Sequence, residues 1–130
     1  MQTPLDAVNI HLATVLELLS DRKSPDYRNS IKESISAVET LCKLITGNAS
    51  ATLGNALDLI EREGKVKIHP ALKQAFDKLY GYASSADGIR HGMLKESDLL
   101  FEDAKFFLVA CSGFVNYLLA KSAKLGITFT

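Results

Sequence analysis

FEDAKFFLVACSGFVNYLLAKSAK, residues 101–124, carries apolar side chains at two sets of helical spacings. Ala104, Phe107, Cys111, Phe114, Val115 and Leu118 make one stripe, and Phe106, Ala110, Gly113 and Tyr117 make a second on another side. A helix apolar on two faces is either central in a bundle or half covered by a second copy of the protein. Gly113 permits close backbone approach on the second face. The longest uncharged run, residues 106–120, includes Ser112 and Asn116, whereas a membrane span needs about 20 apolar positions. The stretch therefore predicts a buried helix and no membrane partner.

Upstream, the punctuation is that of further helices. Thr3-Pro4 with Asp6 predicts a helix over residues 4–20, with Leu5, Val8, Leu12, Val15, Leu16 and Leu19 at spacings of three and four. Ser24-Pro25-Asp26 opens the next, whose stripe is Tyr27, Ile31, Ile35, Val38, Cys42 and Ile45, widened by Leu41 and Leu44 and stopped by Gly47. A third runs over residues 52–63, with Leu53, Ala56, Leu57 and Ile60 inward and Gly64 closing it. His69-Pro70 opens a fourth bearing Leu72, Ala75, Phe76, Leu79 and Tyr80. No stretch alternates as a strand does, and neither heptads nor internal repeats occur. The fold class is all-α, one compact domain over residues 1–130 built as a bundle of four to five helices.

Composition sets bounds on function. The 130 residues are 47% apolar, and 15 Lys plus Arg balance 15 Asp plus Glu, so only a local basic cluster could draw a polyanion. Cys42 and Cys111 lie far apart inside apolar runs, which excludes a zinc knuckle or CxxC redox site and predicts two small buried hydrophobes. The N-terminal MQTPLDAVNIHLATVL has no basic region before its apolar residues, so a cytoplasmic location is expected. His11 on a helix flank and His69 at a cap lack a ligand partner three or four residues away, and no metal is expected at either. Asn48-Ala49-Ser50 is then only loop chemistry.

The least periodic and most chemically loaded stretch is Ser84-Ser85-Ala86-Asp87-Gly88-Ile89-Arg90-His91-Gly92. An Arg and a His followed by Gly, just ahead of a long apolar final helix, resemble the HEPN superfamily of small α-helical nucleotide-binding and ribonuclease domains. The blocks from Pro25 to Glu39, Leu79-Tyr80-Gly81-Tyr82, Asp87 to His91 and Cys111 to Leu118 resemble the C-terminal module of bacterial abortive-infection proteins of the AbiJ type, over nearly the whole chain. That resemblance implies a role in phage defence, an N-terminal partner domain outside this excised or stand-alone module, and a homodimer. It also implies metal-independent cleavage of RNA without a cofactor, by an Arg and a His from each subunit facing a shared cleft. Catalytic members separate the two by four to six residues; here Arg90 and His91 are adjacent and residues 84–87 contain no Arg.

Cleavage through a 2′-hydroxyl needs a group titrating near neutrality to move protons and a cation to hold the phosphorane charge. His91 is the candidate for the first, and Arg90 or Arg28 for the second. Neighbouring side chains on a helix diverge by about 100°, so Arg28, from the polar back of the second helix, complements His91 better than Arg90 does. Asn29 and Glu33, one turn apart on that back, are the candidate orienting groups, and Tyr27 is either core or a base-stacking platform.

Three readings stay open. The chain is a dimeric endoribonuclease, or a non-catalytic module that dimerises through Phe106, Ala110, Gly113 and Tyr117 and holds RNA or nucleotide. Or His91-Gly92-Met93-Leu94-Lys95 is the acceptor turn of a phosphotransfer bundle. The bland alternative for Arg90 and His91 is a loop tied to Glu33 or Glu39, and for Arg28 a solvated face shared with those same acids.

Overall fold

The structure, a computed structural model, describes residues 5–48, 53–63, 66–84 and 99–127. Within them the chain forms α1 (Asp6–Ser20), α2 (Tyr27–Thr46), α3 (Leu53–Arg62), α4 (Pro70–Ser84) and α5 (Phe101–Lys124), with no strand. The all-α bundle expected from periodicity is therefore what the chain adopts. Thr3-Pro4, Asn48-Ala49-Ser50 beyond Asn48, Gly64, and Arg90 and His91 with the rest of the loaded stretch after Ser84 lie outside the described residues.

Local chemistry explains the boundaries. The Asp26 carboxylate accepts from the Asn29 backbone N–H at 3.1 Å, which satisfies one of the orphan donors at the start of α2. Gly47 ends that helix at φ +71°, a left-handed conformation that suits a residue without Cβ, and its N–H bonds the Lys43 carbonyl. The His69 Nδ1 accepts from the Ala71 N–H at 3.1 Å, so the imidazole caps α4 ahead of Pro70. At α5 the Asp103 carboxylate reaches back to the Leu100 N–H at 2.9 Å.

The centre of the bundle is α2, which packs against all four other helices. The helix over residues 101–124 is thus a wall rather than the hub, because only its first stripe is covered. α1 runs antiparallel to α2: His11 meets Glu33, and the Asp26 N–H donates to the Leu18 carbonyl. α5 runs parallel to α2, since Tyr27 and Phe101, the first residues of each, touch edge to face with centroids 6.5 Å apart. α4 is antiparallel to α5, with Phe76 stacked on Phe114 at 3.8 Å and Tyr82 on Phe107 at 5.8 Å. These rings hold the two backbones apart.

Ile31, Val38, Leu41 and Cys42 are wholly buried, as the stripe on α2 predicts. Periodicity missed Ser30, Ser34 and Ala37, equally buried on the edge of α2 nearest Glu33, where small side chains let α1 approach. Leu16 also departs from expectation. The seam of α1 is Leu5, Val8, Leu12, Val15 and Leu19, and Leu16, one position beyond Val15, turns out to solvent at 55% exposure. Among the described side chains of α4 only Phe76 is buried; Leu72 and Ala75 are exposed.

Two outcomes check this packing. Leu118→Ala, at a fully buried position, should lower the unfolding free energy in urea by about 2–5 kcal/mol. Burial pushes the Cys42 and Cys111 thiols up to about 12, so a thiolate-selective reagent at mildly alkaline pH should label neither until denaturant unfolds the chain. Rapid labelling of the folded protein would contradict the core described.

Candidate functional site

The first turn of α2 gathers the described part of the sequence-derived site. Tyr27 is half-buried and engaged with Phe101, so it closes the corner between α2 and α5. Arg28 is half-buried beside it. Asn29 is tied to the cap, its amide donating to the second Asp26 oxygen at 2.7 Å. Glu33 uses Oε2 to meet His11 Nδ1 at 2.5 Å, a tie between α1 and α2 that no motif announced. Tyr27 and Phe101 put this corner at the end of the bundle where the chain resumes at Leu99, so Arg28 and the entry to α5 share one end.

A second feature is the uncovered face of α5. Phe106 and Val109 are exposed at 55% and 61%, Gly113 is exposed, and Ala110 and Tyr117 are half-buried. The second stripe predicted for this helix is therefore present and open, and Val109 belongs to it although residue spacing had left it out. Between α4 and α5, where the aromatic pairs separate the backbones, lies a groove of about 350 Å³ lined by Leu72, Ala75, Phe76, Leu79, Ala110 and Tyr117, among others. A Cβ at Gly113 would meet nothing within 4 Å among the described residues. Glycine in a helix interior costs about 1 kcal/mol relative to alanine, and none of the described residues requires it there.

By length and composition the whole of α5 could cross a bilayer, which an uncharged run of 15 residues had seemed to dismiss. The helix also serves as core: Ala104, Phe107, Cys111, Val115 and Leu118 are buried against the bundle. Only its second face is open to a partner.

The far end of α5 carries a basic cluster that sequence reading overlooked. Lys67, Lys121 and Lys124 with Val66 and Leu125 surround a pocket of about 200 Å³, and the Lys121 ammonium sits 5.6 Å from the Tyr117 ring centroid. Lys121 and Lys124 complement the negative end of the helix dipole, and a rise of about 1.5 Å per residue places them roughly 30–35 Å from Phe101 at the Arg28 end. Lys67 reaches Lys121 and Lys124 through the fold alone, so spacing along the sequence could not reveal the cluster.

A fourth group ties α3 to α4. Lys73 bonds Asp58 and lies 3.4 Å from Glu61. That bond holds the Asp58 carboxyl below its ordinary 3.8 and the Lys73 ammonium above its ordinary 10.5. Asp77 goes the other way: burial, first of all, pushes its carboxyl above 3.8, and its Oδ1 has no hydrogen-bond partner among the described residues. Among those residues no three His, Cys, Asp or Glu side chains converge as metal ligands.

Set against known protein families, curated proteins and solved structures, the chain has no match in any of the three. It stands as a small all-α protein, with five packed helices among the described residues.

The charge ties have a definite sign with pH. The Asp58 contribution is present above 3.8 and fades as pH falls through its lowered value; that of Lys73 is present below 10.5 and fades as pH rises through its raised value. For Asp77 the neutral acid is favoured by folding, so its contribution exists below 3.8 and is lost as pH rises through its raised value. Asp77→Asn should therefore raise the thermal midpoint at neutral pH, with the gain vanishing below 3.8. An equal gain at both pH values would contradict the assignment.

Proposed function

We propose that this chain is a cytoplasmic HEPN-like module of bacterial phage defence that works as a symmetric pair, joined through the uncovered face of α5. The observation that carries the reading is the exposure of Phe106 and Val109 on a helix whose opposite face is already core. An apolar stripe left in water is a standing unfavourable term, and a second copy removes it at two places for one contact. Gly113, which no described residue of the protomer crowds, fits a helix crossing there.

Cleavage of RNA is the chemistry that the resemblance to HEPN domains adds. The Tyr27–Phe101 contact supports it, because Arg28 then lies at the end of the bundle where α5 begins, and Arg90 and His91 precede α5 in the sequence. In that reading His91 moves the proton and Arg28 or Arg90 steadies the phosphorane, with no metal.

Sedimentation velocity over a range of concentrations should show a reversible dimer, and Val109→Glu should give a monomer of unchanged helicity. Purified protein in chelator should cleave RNA, with His91→Ala abolishing and Arg28→Ala weakening cleavage. Pairing without cleavage leaves an assembly module that holds RNA or its partner domain; phosphoryl capture by His91 from a kinase would replace the nuclease reading.

A further inference from the structure

We infer that α5 meets the α5 of a second copy antiparallel, with the two-fold axis beside Gly113, so that Glu102 of each chain faces Lys124 of the other. This rests on the pairing just proposed and adds its direction and register.

The face itself is built about Gly113. At 3.6 residues per turn, Phe106 and Ala120 lie about 20° to either side of the line through Gly113, and Val109 and Tyr117 about 40°. Glu102 and Lys124 continue the same line at about 20°, beyond the apolar patch at each end. Every one of these residues is exposed except Tyr117, which is half-buried. Residues equidistant from Gly113 come together in an antiparallel pair. Phe106 then lies over Ala120, large against small, and Val109 over Tyr117. Two glycines meet at the crossing, where each protomer has open space.

Charge decides the direction. The first turn of α5 is acidic and its last turn basic. Antiparallel pairing sets Glu102 against the partner subunit's Lys124 at both ends and opposes the two helix dipoles favourably. Parallel pairing would set glutamate on glutamate and lysine on lysine. Asp103 is already bonded to the Leu100 N–H and Lys121 lies over Tyr117, whereas Glu102 and Lys124 sit on the strip itself.

Symmetry extends the contact further. A two-fold axis that passes between the two helices, perpendicular to both, keeps the two α4–α5 grooves on the same side of the helix pair. Exposed Leu72 and Ala75 from both chains therefore border one apolar seam. A lipid surface is the rival occupant of this face, and it would be indifferent to which end carries which sign.

The decisive measurement is a charge-reversal cycle followed by sedimentation velocity at low ionic strength. Glu102→Lys and Lys124→Glu should each weaken dimerisation on the order of tenfold, and the double reversal should restore it to within about threefold of wild type. Gly113→Leu, at an exposed position where a Cβ meets nothing within 4 Å among the described residues, should keep the helicity and weaken pairing by about tenfold or more. A wild-type dimer that Val109→Glu disrupts, but whose double reversal is as weak as either single, overturns the antiparallel register while leaving the pairing reading intact. A chain that stays monomeric at every concentration and co-sediments with phosphatidylcholine vesicles overturns both.

Discussion

Everything in this bundle depends on the buried half of α2, the helix that packs against all four others. Its arc runs from Glu33, which meets His11 on α1, round to the aliphatic stripe of Ile31, Ile35, Val38 and Cys42. A helix so enclosed must be small where neighbours come closest, and Ser30, Ser34 and Ala37 meet that need. The Ser34 hydroxyl returns to the Ser30 carbonyl at 3.1 Å, whereas the Ser30 hydroxyl has no partner among the described residues. Close approach is thus gained against the penalty of a buried unbonded hydroxyl.

The outer helices take their character from that hub. α5 has enough apolar surface for two neighbours, but α2 packs on its first stripe and α4 stacks Phe76 and Tyr82 on Phe114 and Phe107 of that same stripe, so the second stripe is left open. Stacked rings are thick spacers, and the groove beside Ala110 and Tyr117 is the space they prop open. The same arrangement that completes the core therefore leaves a surface suited to self-association. Its charged ends are a property of α5 alone, acidic first and basic last, as helix stability favours. Antiparallel pairing would use those ends a second time, and it would carry each lysine cluster toward the Arg28 end of the other copy.

With no net charge over the chain, electrostatics here is a matter of local ties. The His11–Glu33 pair and the Lys73–Asp58 pair each join two helices, and both are partly open to water, where such contacts orient elements more than they stabilise them. The thiols contribute only volume.

By itself the sequence determined the helices, the caps of α2, the start of α4 and both stripes of α5, because the 3.6-residue period, Asp26, Gly47 and His69-Pro70 act over a few residues. It marked Tyr27, Arg28, Asn29 and Glu33 as polar or aromatic groups at the start of α2, and Arg90 with His91 as the loaded turn that lies outside the described residues. Which helix is the hub, that Leu16 faces water, that Glu33 answers to His11, and that Lys67 joins Lys121 and Lys124 were decided only by tertiary packing. Periodicity tells a helix which faces are apolar. Only the competition among helices for the same partner says which of those faces stays open.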